Sequence, residues 1–172
     1  NLRSSPKPDD KQLNSGTVAA VFTTNQGAIP VTLDRKSAPC NTGAMISLID
    51  NGFYNNTPCH RMTGSEALKV LQCGDPTGTG TSGSKKPNLK AEFSAEPHVR
   101  GVCSMARTSD PNSANSQFFI MLADGDFLDG QYTLVGDVVS GMEVVDQIKK
   151  GDEANNGSVS NPDRMVSVTV GK

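Results

Sequence analysis

Apolar positions along this chain recur mostly every second residue and in short runs. Thr17 to Thr24 reads Thr-Val-Ala-Ala-Val-Phe-Thr-Thr, β-branched and apolar, which predicts a strand. Asn25-Gln26-Gly27 turns the chain, and residues 28–34 return as the second arm of a hairpin. Six further short strands are predicted at 59–63, 69–73, 102–106, 116–122, 133–139 and 165–170. Helical spacing is confined to two places. Pro39 stands at a first helical position, Met45, Leu48 and Ile49 form a stripe, and Asn51-Gly52 ends it. A shorter helix is predicted over 142–150, with Val144, Val145 and Ile148 inward and Gly151 as its stop. Short strands with two helices argue for a mainly β barrel-type domain.

Length and composition narrow the class. A chain of 172 residues is one domain with room for a core. Residues 1–16 hold two Pro, three Ser and several charges with few apolar side chains, so a flexible tail or linker is expected there and the domain proper over 17–172. Such a tail leaves two compartments open: cytoplasmic, or extracytoplasmic and tethered through it. Lys plus Arg is 16 and Asp plus Glu 18, a net charge of −2, which argues against a nucleic-acid partner. No exposed apolar stripe is read, so a monomer is expected. The four cysteines make no C-x-x-C pair, which excludes the usual zinc and thioredoxin spacings.

Several motifs carry little. Gly78-Thr79-Gly80-Thr81-Ser82-Gly83 matches a dinucleotide fingerprint, but no helical pattern follows it. It reads as a turn-rich surface loop. Asp124, Asp126 and Asp129 miss the spacing of a calcium loop. His98 sits among polar residues and reads as solvated. No metal site and no cofactor are expected.

Arg61 is different. It lies on a short predicted strand between His60 and Met62. Gln72 interrupts the apolar run Val70-Leu71-Gln72-Cys73, and Gln117 stands beside Phe118-Phe119. An apolar pocket edged by one arginine and two glutamines suits a neutral peptide.

Taken in order, Cys59-His60-Arg61, Leu71-Gln72-Cys73-Gly74-Asp75, Ser104-Met105-Ala106-Arg107, Ser116-Gln117-Phe118-Phe119-Ile120 and Phe127-Leu128-Asp129-Gly130 resemble the cyclophilin family of peptidyl-prolyl cis-trans isomerases. The likeness runs from about Val18 to Val170 and is nearest the bacterial, actinobacterial-type branch. It implies a closed eight-stranded antiparallel β-barrel capped by two α-helices, with a groove for proline-containing peptides and unfolded proteins. It implies Arg61 as the catalytic residue. It implies His60, Val70, Gln72, Met105, Ala106, Arg107, Thr108, Gln117, Phe119, Phe127, Leu128 and Tyr132 as substrate-binding residues, with Met105 beneath the proline pocket. In that fold Cys59 and Cys73 sit on neighbouring strands and are the first candidates for a disulfide. The plainer reading of all four cysteines is as small buried hydrophobes.

The chain also departs from the family. Phe127 stands where Trp is frequent, which implies reduced cyclosporin affinity. Tyr132 stands where His is common, and Arg107 replaces a frequent Asn. A few extra residues separate Arg61 from Gln72, and Lys69 aligns with an apolar pocket position, leaving Leu68 or Val70 to fill the space. The function implied is isomerisation of X-Pro bonds, which needs no nucleophile, metal or cofactor because no bond is cut. The alternative is a proline-peptide-binding module with weak or no catalysis.

Overall fold

The computed structural model describes residues 2–171. Among these, nine strands form one sheet. They are β1 (Thr17–Thr24), β2 (Gly27–Asp34), β3 (Thr57–Pro58), β4 (Arg61–Met62), β5 (Val70–Cys73), β6 (Val102–Met105), β7 (Phe118–Met121), β8 (Leu134–Val138) and β9 (Arg164–Val170), with helices α1 (Pro39–Asp50) and α2 (Met142–Gln147). The sheet order is β3-β9-β1-β2-β8-β6-β7-β5-β4, and each resolved pairing is antiparallel.

This corrects the closed eight-stranded barrel. The sheet curls without closing, and its two edges are β3 and β4. These edges lie end to end on the chain, separated only by Cys59 and His60, so they cannot lie side by side as partners. The segment 157–163 fills the seam instead. Cys59 N–H donates to Asp163 O, Val159 N–H to His60 O and Met62 N–H to Gly157 O. That competition also splits the predicted strand 59–63 into two short pieces.

Period-two burial builds the core. Ala20 and Phe22 of β1 and Ile29, Val31 and Leu33 of β2 point inward. They meet Leu71, Cys73, Cys103, Met105, Phe118 and Ile120 from the other side of the sheet. Phe118 packs on Phe22 at 5.3 Å and edge-on to Tyr54 at 5.6 Å between ring centroids. The buried Tyr54 hydroxyl donates to Ser116 O, which removes the cost of an unpaired buried polar group.

Helix α1 begins at Pro39 and buries the predicted stripe Met45, Leu48 and Ile49. Ala38 provides no side-chain cap. The Glu92 carboxylate takes that role, accepting from Cys40 N–H and Asn41 N–H. Gly52, at φ +66°, turns the chain out of the helix. Helix α2 is shorter than the pattern predicts. Ile148 is already extended, and Lys149 N–H donates to Asp163 instead of continuing the helix.

Candidate active site

Four strands carry one row of side chains. Register places Arg61 opposite Gln72, Gln72 opposite Phe119, and Phe119 opposite Ser104. Cross-strand partners share a face, so the row lies opposite Leu71, Phe118 and Cys103, which enter the main core. Val70, Met121, Val102, Leu128 and Leu134 gather with Phe119 into a second, smaller apolar cluster.

Against this cluster lies a cavity of about 150 Å³. Leu68, Val70, Phe119 and Leu128 supply its apolar lining, and Arg61 and Gln72 its polar edge. Ala106, Arg107 and Tyr132 complete it. The Tyr132 ring stands edge-on to Phe119, with centroids 5.4 Å apart. The Arg107 guanidinium lies over Tyr132, 4.5 Å from the centroid, and donates to Gln131 O.

A hydrogen-bonded chain orients the polar edge. Arg61 Nη1 donates to Gln72 Oε1 at 3.1 Å. Gln72 Nε2 donates to Gln117 Oε1 at 2.8 Å. Gln117 Nε2 in turn donates to Gly80 O and Ser82 O. The two backbone carbonyls therefore decide which way both amides face. On its other side Arg61 donates from Nε to Asn156 O and from Nη2 to Asn156 Oδ1. A guanidinium has five N–H donors, so these bonds leave two for a ligand. Burial lowers the Arg61 pKa from its ordinary value, against the opposing pull of Tyr132 and Glu153, and the group stays charged at neutral pH.

The loop that supplies those carbonyls is built around Asp75. Its carboxylate accepts from Thr77 N–H, Thr77 Oγ1 and Ser82 N–H. Burial works against its charge, but these bonds outweigh it and hold the carboxyl below its usual range. Gly74, at φ +95°, makes the turn into this loop. A Cβ there would stand 2.5 Å from Ser116 O, so only glycine lets the loop leave β5 beside Gln117.

His98 is not solvated. It is 2% exposed, its Nδ1 lies 3.2 Å from Asp129 Oδ1, and its Nε2 lies 3.1 Å from Ser104 Oγ. The Ser104 hydroxyl donates to Thr133 O. The imidazole stacks on the Phe119 ring at 6.4 Å and so backs the cavity. Despite its Ser-His-Asp composition the trio is no hydrolytic site, because Ser104 is fully buried.

The family model for the cyclophilin type peptidyl-prolyl cis-trans isomerase matches residues 19–170. This chain belongs to the cyclophilin family. A Brucella suis protein described as "Probable peptidyl-prolyl cis-trans isomerase" is 48% identical over 152 residues, 84% of this chain and 78% of that protein. A Mycobacterium leprae protein described as "Probable peptidyl-prolyl cis-trans isomerase B" is 36% identical over 176 residues, 95% of this chain and 59% of that protein. A Cryptosporidium parvum cyclophilin crystallised in the presence of the dipeptide Ala-Pro has a TM-score of 0.80 at 25% identity. That match covers 90% of this chain and 99% of the other.

Of the residues that the cyclophilin motifs single out, Arg61, Val70, Gln72, Ala106, Arg107, Phe119, Leu128 and Tyr132 meet around the 150 Å³ cavity. Gln117 and Thr108 line a neighbouring cavity. His60 faces a third, with neither ring nitrogen hydrogen-bonded to a described residue. Phe127 is 57% exposed on a single helical turn, Asp126–Leu128. Met105 does not line the cavity. It follows Ser104 on β6, so alternation sends it into the main core. Lys69 alternates away in the same manner, and both Leu68 and Val70 face the cavity. Cys59 and Cys73 form a disulfide; Cys103 is free and buried, and Cys40 is free and exposed.

Sequence reasoning missed Asn156 and the Gly80 and Ser82 carbonyls. Backbone carbonyls have no residue signature, and Asn156 reaches Arg61 across 95 positions. Its positive φ of 55° is compatible with the Asn-Asn-Gly turn that contains it, the one local signal available.

Proposed function

We propose that the 150 Å³ cavity receives the proline ring of an X-Pro peptide and that Arg61 catalyses rotation about the bond before it. The observation that carries this reading is a guanidinium, held by Gln72 and Asn156, at the edge of a small cavity that Leu68, Val70, Phe119 and Leu128 line on its apolar side. Rotation breaks amide resonance, and the proline nitrogen gains a lone pair. A guanidinium N–H aimed at that nitrogen donates a bond that exists only in the twisted state. Arg107, Tyr132 and Phe119 exclude water from the site, which strengthens the bond. A ~10⁵-fold acceleration corresponds to about 7 kcal/mol. One charge-assisted hydrogen bond contributes ~1.5–3 kcal/mol. Restriction of the peptide between ring pocket and strand edges supplies the remainder.

Its ligands are proline-containing peptides and unfolded proteins, taken by a monomer. Residues 17–172 are the catalytic unit and 1–16 a lead-in to it. Cyclosporin binds with reduced affinity, because Phe127 lacks the indole N–H donor. The decisive experiment is isomerisation of a short Ala-Pro-Phe peptide by the parent and by Arg61→Ala. Most turnover is lost while the circular dichroism spectrum is kept, and Arg61→Lys recovers little. Unchanged turnover in folded Arg61→Ala overturns the mechanism.

A further inference from the structure

The N-terminal lead-in touches the site. Arg3 pairs with Ser84 in a parallel bridge, its N–H donating to Gly83 O at 2.9 Å and its carbonyl accepting from Lys85 N–H at 3.0 Å. Its guanidinium donates to Phe53 O at 2.9 Å and lies over the Phe53 ring, 5.9 Å from the centroid. Farther along, Gln12 rests where a Cβ on Gly43 of α1 would stand. Arg3 is thus held by backbone and side chain together.

Leu2, next to it, lines a second cavity of about 260 Å³. That cavity shares Gln72, Ala106 and Arg107 with the smaller one, so a peptide seated in one extends over the other. Most of the larger cavity is polar or small, including Gly80, Ser82, Thr108 and Gln117. Leu2 is its one branched apolar side chain, and it is 53% exposed. Exposed apolar area at the mouth of a binding cavity is area that a ligand can cover.

We propose that Leu2, fixed by Arg3, is a specificity-determining residue that favours peptides carrying an aliphatic side chain near the proline. The inference rests on the proline ring occupying the smaller cavity. It gives the lead-in a role in substrate choice. Covering about half of a leucine side chain corresponds to roughly a three- to tenfold preference.

The test measures kcat/KM for peptides in which Leu or Gly is placed, in turn, at each position flanking an Ala-Pro pair. At one position the parent prefers Leu over Gly about three- to tenfold. Leu2→Ser lowers that ratio towards one, chiefly by slowing the Leu peptide. Arg3→Ala removes the guanidinium's hold on Phe53 but keeps the backbone bridge and Leu2, and lowers the ratio by less. The same ratio in the parent and both variants overturns the inference. If turnover is meanwhile abolished by Arg61→Ala, the proposed mechanism stands and only the role of Leu2 falls. If Arg61→Ala leaves turnover intact, the mechanism falls, and the ratio in Leu2→Ser alone decides the role of Leu2.

Discussion

Gln72 holds Arg61 from directly across the strand pair: the two residues are register partners on β4 and β5, and the amide oxygen accepts from the guanidinium at 3.1 Å. The arginine is therefore aimed by a neighbour whose own orientation is set by Gln117 and by two carbonyls beyond it.

Replacing Gln72 by Ala removes the acceptor for Arg61 and the link to Gln117. Turnover falls about tenfold, the equivalent of one hydrogen bond to a charged group. Gln72→Glu does not rescue it, because a carboxylate oxygen then faces Gln117 Oε1 without a donor between them. Isomerisation kinetics of both variants on one Ala-Pro peptide check this, and parent-like rates in Gln72→Ala would remove the orienting role.

Asn156→Ala deletes the Oδ1 acceptor but keeps the carbonyl that Arg61 Nε reaches. The expected loss is smaller, about three- to tenfold in kcat/KM. Asn156→Gly gives a similar loss, since glycine accepts the positive φ and isolates the side-chain effect.

The Cys59–Cys73 bond spans 14 positions and joins the segment before Arg61 to the strand that carries Gln72. Closing a loop of that length stabilises a fold by about 3 kcal/mol in the chain-entropy model. Reduction, or the double change to Ala, lowers the thermal midpoint by roughly 6–12 °C for a domain of this size. Thermal melts with and without reductant read this directly, and an unchanged midpoint contradicts it.

Burial lowers the His98 pKa against the opposing pull of Asp129. The unfolded reference is about 6.5. Neutral His98 therefore contributes stability that is complete above that pH and is lost as pH falls through the lower folded value. The buried His60 shifts in the same direction, by burial first, with Asp75 opposing and Arg61 reinforcing. Urea midpoints fall between pH ~7 and pH ~5. His98→Gln reduces that fall, and a second change at His60 reduces it further.

Phe127→Trp restores a larger ring and an N–H donor on an exposed turn. Cyclosporin affinity rises about five- to twentyfold, read by calorimetry, with little change in turnover.

Much of this molecule was legible from its pattern. Strand 17–24, the hairpin that follows and the Met45-Leu48-Ile49 stripe need only local periodicity, and all three occur as read. Gln72 and Gln117 stood out because they break or flank apolar runs, Arg61 because it lies on a short predicted strand, and Phe119 through the cyclophilin resemblance. Met105 shows how far alternation alone can go: once Ser104 joins the outer row, its neighbour must enter the core. His98 shows where composition misleads. A polar neighbourhood in sequence became a buried one in space, because Asp129 and Ser104 arrive beside the two ring nitrogens.

The sequence by itself determined which residues lie on one face of each strand, and with them the catalytic candidates. Tertiary structure decided the rest: the open edge between β3 and β4, the hold of Asn156 on Arg61, and the place of Leu2 at the cavity mouth. The physical reason is range. Backbone period acts over neighbouring residues, whereas a hydrogen bond between positions 61 and 156 exists only after topology has brought its two ends together.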